Sequence, residues 1–231
     1  MIEALKATVY KGFKPKKLAL VWCCISMENF DPLTHLPQQE EGAQSNTTAE
    51  KLLDTEVVAK QFFEAAAKRL LNVNEWRDYT GALTADFQLC DSKGNEVQRT
   101  AQLHDHFRID IPGPGSTAGK GYDWVHVEAL EKFEAADEEM LLIRVRPVPD
   151  PTGDKEDVAH FFTDDSTSTF MIRRSGNKVT AEVHGRNEKP NIHAGSLIDK
   201  ARNVFAGVVA VSIFSKYQWK SLAEGLLNFE L

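Results

Sequence analysis

The amino-acid sequence predicts an α+β domain in which a long C-terminal helix packs across a curved antiparallel sheet. Three observations support this fold class: an apolar helical pattern in residues 55–71, a run of strand-like segments in residues 82–184, and a proline-free apolar stretch in residues 196–228. A helix with a wide apolar stripe must be buried against another layer, and the strands offer one long hydrophobic face. The length of 231 residues suits one such domain with an extension.

Composition excludes several classes of protein. The chain is 42% hydrophobic and 26% charged, which is typical of a globular domain in water. Its formal net charge is -7 with both signs interspersed, whereas nucleic-acid binding requires clustered lysine and arginine. Cys23 and Cys24 are adjacent, and neither they nor Cys90 have the spacing of a zinc or redox site. We therefore expect no nucleic-acid partner, no disulfide framework, no metal and no cofactor.

Residues 1–46 differ in composition from the rest. Four lysines in residues 11–17 precede a short apolar run at residues 18–25, an order found in signal peptides. This run is too short to span a membrane, and Trp22 before Cys23 argues against export. Residues 28–46 are polar, which is typical of a flexible, removable linker. We expect residues 1–46 to be an extension and linker and residues 47–231 to be the domain, in the cytoplasm; export or lipid anchoring is the alternative.

The first helix is predicted to begin after Thr47, which stands three residues before Glu50 in the spacing of a capping box. Apolar residues then recur at intervals of three and four, at Val57, Val58, Phe62, Phe63, Ala66, Leu70 and Leu71. Trp76 follows this helix. It either plugs the helix onto the sheet or faces a ligand.

Period-two alternation predicts the strands. They lie at residues 83–89, 103–111, 122–130, 140–148, 168–174 and 178–184. Short consecutive strands joined by turns indicate an antiparallel meander. The closing helix follows at residues 196–228, and Gly225 is one of its weak points because glycine costs about 1 kcal/mol relative to alanine in a helix.

This order of elements resembles the helix-grip fold of the START-like superfamily, which includes polyketide cyclases and allergens of the birch-pollen type. The resemblance rests on Trp76, on the strands around residues 107–111 and 124–128, and on the long helix after Ser196. The superfamily usually opens with a strand before its first helices, and here only residues 17–27 are available for it. The resemblance implies a cavity between the curved sheet and the last helix that holds a hydrophobic or amphipathic small molecule.

Two motifs that suggest other chemistry are incomplete. Residues 111–121 are rich in glycine, but they lack the Gly-Lys-Ser/Thr ending of a phosphate-binding loop and lead into a strand, which indicates a hairpin loop. His104 and His106 are placed on one strand face as in a metal site, with His126 or His184 as a conceivable third ligand. No zinc-binding spacing supports this metal interpretation.

Arginines interrupt the predicted strands at Arg108, Arg144, Arg146, Arg173 and Arg174. An unpaired guanidinium on the apolar side of a sheet is very unfavourable. We therefore expect these side chains to face solvent or to pair with Glu128 or Glu182.

The strand at residues 122–130 carries the ligand-binding candidates. Tyr122, Trp124 and His126 share one face, which combines aromatic area with a titratable group. We expect these three to line a cavity beneath the closing helix, with Trp76 near its mouth. The protein is then a small-molecule carrier or sensor. A cyclase or hydratase that uses His126 as an acid or base, and an interaction module without a ligand, are the alternatives.

Overall fold

The structure, a computed structural model, describes residues 31–80, 84–111, 116, 118–154, 156–191 and 204–231, with side chains of the last helix described from Lys216 onward. The apolar run at residues 18–25, part of the glycine-rich loop and the start of the predicted closing helix lie outside these residues. The main elements are β1 (Ala43–Leu52), α1 (Glu56–Leu71), α2 (Trp76–Thr80), β2 (Asp86–Cys90), β3 (His106–Asp110), β4 (Asp123–Glu134), β5 (Glu138–Pro147), β6 (Thr167–Ser175), β7 (Lys178–Glu188) and α3 (Val204–Leu227).

The seven strands form one antiparallel sheet in the order β1-β7-β6-β5-β4-β3-β2. Each strand from β2 to β6 pairs with the next along the chain, which confirms the predicted meander. α3 contacts β1, β7 and the two other helices, so the long C-terminal helix packs across the sheet as predicted. β4 contains a bulge, in which Glu128 is the extra residue between Val127 and Ala129. Such a bulge bends the strand that carries it.

The largest difference from the sequence prediction is at β1. Residues 47–50 belong to a strand that pairs with β7, and α1 begins only at Glu56, where the Thr55 side chain accepts the Val58 N–H. β1 is the opening strand that the helix-grip resemblance requires, in place of residues 17–27. The boundary expected at residue 46 therefore falls inside a strand.

Residues 31–42, which the sequence places in a flexible linker, lie on the sheet. Leu36 packs on an apolar patch formed by Ala129, Phe133, Met140, Leu142 and Met171. Arg144 donates a hydrogen bond to the His35 carbonyl oxygen (3.0 Å), and the side chain of Asn187 accepts the Glu40 N–H (2.7 Å). Hydrogen bonds to the backbone thus hold residues 31–42 on the sheet, although this segment has little apolar area of its own. Composition alone does not reveal such hydrogen bonds.

The two faces of the sheet differ in what covers them. The three helices pack on one face, here called the helix side, where apolar side chains from β2 to β7 join those of α1 and α3 in a single core. The opposite face, here called the outer face, carries charged and polar side chains around the patch under Leu36. Among the described residues, no helix combines the length and the hydropathy that crossing a membrane requires.

Gly225 allows α3 to approach α2 closely. A Cβ atom at this position would lie 2.2 Å from the carbonyl oxygen of Tyr79 and 2.8 Å from its carbonyl carbon. Backbone atoms cannot rotate away as a side chain does. Gly225→Ala is therefore expected to destabilise the domain by about 1–3 kcal/mol, although alanine favours a helix. Urea unfolding measures this change, with the exposed Lys220→Ala as a control within about 0.5 kcal/mol. A Gly225→Ala variant as stable as wild type would contradict the close contact.

Candidate functional site

Gln218 is a polar side chain on the helix side that has an unused hydrogen-bonding group. Gln218 of α3 is 2% exposed, and its Oε1 accepts the N–H of Ala85 at 2.7 Å. Its Nε2 is buried and has no hydrogen-bond partner among the described residues. Because the bond to a backbone N–H fixes which end of the amide is the oxygen, the free end is a donor.

Aromatic rings surround this part of α3. Trp219, the next residue, has its ring centroid 5.2 Å from that of Phe170 and 6.4 Å from that of Phe87. Trp76 packs on Phe87, Phe107 and Phe170 at 5.1, 5.7 and 5.0 Å. We call these five residues the aromatic cluster. It makes the helix side near Gln218 strongly apolar.

Trp76 belongs to this cluster and fits the first of its two interpretations, a plug between helix and sheet. Its side chain is fully buried, and the indole N–H donates to the Leu70 carbonyl oxygen at 3.1 Å. No polar atom of Trp76 is left free for a ligand. Any contact with a ligand would be through the ring alone.

The other three predicted site residues lie on the outer face. Trp124 stands opposite Arg108 on β3, and His126 stands opposite Arg146 on β5. The residues between and after them, Val125 and Val127, point to the helix-side core instead. Tyr122, Trp124 and His126 therefore do not line a cavity beneath α3, and Trp76 is separated from them by the sheet. Contact of these three residues with a ligand stays a prediction.

Each of the three has its own surroundings on the outer face. Trp124 is buried with Cys90 and Ala159, so it fills the space beside it. Arg108 lies over the Tyr122 ring, 4.7 Å from its centroid. The ring of His126 is 6.2 Å from that of His106, and its buried Nδ1 has no hydrogen-bond partner in the described part of the chain. Burial lowers the pKa of both histidines, which favours their neutral forms.

The metal interpretation of the histidine pair is not supported. His104 has a φ of 71° and lies before β3, so it is not part of the strand that begins at His106. In the part of the chain that the structure describes, no three His, Cys, Asp or Glu side chains are arranged to hold a metal ion.

The arginines of β5 are paired, which is one of the two arrangements expected for them. Arg144 and Arg146 each donate through Nε to Glu128, at 2.5 Å. Burial opposes ionisation of Glu128, but hydrogen bonds from the two guanidinium groups outweigh it and hold the pKa of this carboxyl below its usual value. The bulge in β4 supplies Glu128 to both partners, so the three residues are a structural cluster.

A buried acid and a buried histidine meet at the start of β4, and the sequence analysis did not identify them. Asp123 Oδ2 lies 3.9 Å from His160 Nε2 and accepts the Phe161 N–H at 3.2 Å. Burial raises the pKa of Asp123 to about 7 and lowers the pKa of His160 to about 3. Both groups are therefore neutral over a wide range of pH.

This pair predicts a pH dependence of stability. Asp123 keeps its proton in the folded state up to about pH 7, whereas in the unfolded chain it loses the proton near pH 4, so its contribution to stability falls as pH rises between these values. His160 acts in the opposite sense, because only the unfolded chain binds its proton between about pH 6.5 and 3. Asp123→Asn should therefore gain stability relative to wild type from pH 4.5 to 7, by at most about 1.4 kcal/mol per pH unit.

Urea unfolding of both proteins at the two pH values measures this gain. His160→Asn serves as the opposed control, since its advantage over wild type should grow as pH falls. An Asp123→Asn difference that is the same at pH 4.5 and 7 would contradict the raised pKa.

Gln218 was also missed, although the sequence contains a signal for it. It stands four residues after Phe214 and four before Leu222, within the apolar stripe of the predicted closing helix. A single amide in such a stripe indicates a buried polar group that requires a partner.

Comparison with known proteins gives structural likeness only. No family model matches the chain, and no curated protein matches its sequence. Similar solved structures include a hypothetical protein from Helicobacter pylori (10% identity, TM-score 0.41, 78% of this chain and 86% of that one). They also include a START superfamily protein from Mycobacterium smegmatis (10% identity, TM-score 0.28, 78% and 99%) and truncated norcoclaurine synthase from Thalictrum flavum (9% identity, TM-score 0.31, 84% and 100%). A START superfamily protein is thus among the solved structures to which this chain is similar.

Proposed function

We propose that this protein is a small-molecule-binding domain that holds a hydrophobic or amphipathic ligand between the helix side of the sheet and α3. The observation that carries the proposal is the buried Nε2 of Gln218, for which the described residues provide no hydrogen-bond partner; the next residue, Trp219, belongs to the aromatic cluster. Buried donors in folded proteins nearly always have a partner, and leaving one without costs about 1–3 kcal/mol. A ligand with an acceptor atom supplies that partner, and aromatic walls with one placed polar group are typical of ligand pockets.

The enzyme alternative requires His126 to lie beside α3, and it does not. His126 lies on the outer face, so it cannot act as an acid or base on a ligand beside α3. Trp76 and Trp219 offer apolar contact without a titratable group. Binding alone is therefore the function that this side of the sheet supports best.

A neutral fluorescent probe, N-phenyl-1-naphthylamine, tests the proposal. We expect saturable binding with energy transfer from tryptophan, and Trp219→Phe should reduce the transfer more than the affinity. At a concentration of 100 times Kd, the probe should stabilise the fold by about 2.7 kcal/mol. For a chain of this size, that corresponds to a rise in Tm of roughly 5–10 °C. If neither this probe nor a panel of apolar ketones, alcohols, acids and alkanes binds in a saturable manner, the proposal is wrong and the interaction module remains.

A further inference from the structure

We infer that Gln218 selects ligands that present a neutral carbonyl oxygen, such as a ketone, an ester or a quinone, and rejects carboxylic acids. The inference rests on the proposed function and specifies the class of ligand. Its basis is the orientation of the amide: Oε1 is occupied by the Ala85 N–H at 2.7 Å, so only the N–H groups of Nε2 face a ligand. The site offers donors, and a matching ligand must offer an acceptor.

The charged groups on the described helix side argue against an anionic acceptor. Arg174 is buried and paired with Glu139, so it is already neutralised. Arg69 donates to the Gly225 carbonyl oxygen at 2.9 Å, and its guanidinium lies 3.6 Å from the centroid of the Tyr79 ring. Gly225 is two turns of α3 beyond Gln218, about 10 Å along the helix axis.

The first half of α3 has no charged residue. Residues 204–215 contain no Asp, Glu, Lys, Arg or His. A carboxylate bound at Gln218 would therefore be buried among aromatic rings without a counter-charge from the described residues, which is strongly unfavourable. A carbonyl group gives up much less hydration and satisfies the buried donor.

An alcohol matches the site less well than a carbonyl. Its oxygen can accept from Nε2, but its own hydroxyl hydrogen must then find an acceptor in an apolar environment. An alkane of the same length makes the apolar contacts and leaves Nε2 unsatisfied. The expected order of affinity is ketone, then alcohol, then alkane and ionised acid.

Four eleven-carbon compounds test this order: 2-undecanone, 1-undecanol, undecane and undecanoic acid at pH 7.5, each displacing N-phenyl-1-naphthylamine from the full chain. We expect the ketone to bind at least about fivefold more tightly than the alkane or the acid. Gln218→Met has nearly the same shape and no donor, so it should remove the ketone preference and leave alkane binding within about twofold.

Gln218→Glu is the matched variant, because it keeps the acceptor for the Ala85 N–H that Gln218→Met lacks. Its carboxyl group donates only while protonated. Ketone affinity of this variant should therefore fall as pH rises from 5 to 9, while that of wild type stays constant. A role of Gln218 in folding alone would not produce this pH profile in ligand affinity.

The outcomes separate the inference from the function on which it rests. Equal binding of all four compounds, or tightest binding of the acid, would overturn the carbonyl selectivity and leave a binding domain. Loss of the ketone preference in Gln218→Met together with the pH profile of Gln218→Glu would support it. Failure of every compound and of the probe to bind would overturn the proposed function and the inference together.

Discussion

Arg174→Leu is expected to destabilise the domain by about 3–5 kcal/mol, because it leaves the Glu139 carboxylate buried without its partner. The two side chains form an ion pair on the helix side at the end of the β5–β6 hairpin, with Nε of Arg174 2.5 Å from the carboxylate. Both are buried, and the remaining cation near Glu139, Lys60, is 3.9 Å away and half exposed. Urea unfolding at pH 7 measures the loss.

Two control variants test whether the loss of stability in Arg174→Leu is due to burial of the unpaired charge. Arg173, the preceding residue, points to the outer face, is 25% exposed and lies 3.6 Å from Glu182, so Arg173→Leu should cost less than about 1 kcal/mol. The double variant Glu139→Leu with Arg174→Leu should recover most of the loss, since neither charge then remains buried alone. If Arg173→Leu and Arg174→Leu are equally stable, burial of the Arg174–Glu139 pair does not determine the cost of removing the arginine.

Trp76→Ala is expected to cost about 3–5 kcal/mol, because the side chain is fully buried and joins α2 to three aromatic residues of the sheet. Alanine removes these contacts and leaves a void that a packed core only partly fills. Trp76→Phe keeps a ring and loses the hydrogen bond to the Leu70 carbonyl oxygen, so it should cost about 1–2 kcal/mol.

Thermal and urea unfolding of the three proteins measure this series. Tyr217→Ala, at an aromatic side chain that is 51% exposed, is the control and should change stability by no more than about 0.5 kcal/mol. A loss below 1 kcal/mol for Trp76→Ala would mean that the aromatic cluster repacks freely. Trp76 would then not be the plug between helix and sheet.

The strands from β2 to β7 were predictable because each alternates on one buried face. Phe87 and Leu89, for example, repeat with period two and end at a turn, and the whole meander follows from such pairs. β1 was missed for the opposite reason. Its most regular signal, Thr47 followed by Glu50, is the spacing of a helix cap, and it has no run of large apolar residues to show the strand period.

The site was harder to predict than the fold. Period-two alternation along the strand predicts that Trp124 and His126 share a face, but it does not predict which face of the sheet the helices cover. An apolar Trp124 suggested the helix side, whereas the loop residue Ala159 covers it on the outer face. Gln218 depends on a contact with Ala85 between segments far apart in the chain, and no local pattern encodes that contact.

The pairing of β1 with β7 also determines when the sheet can be completed during synthesis of the chain. β1 is synthesised before every other described strand, yet its partner in the sheet is β7, the last of the described strands to be synthesised. Closing so long a loop is slow, and an unpaired strand that waits exposed is a site for aggregation. The residues Ala-Gln-Ser-Asn-Thr-Thr that open β1 are polar or small, which suits a strand that must stay solvated until β7 has been synthesised.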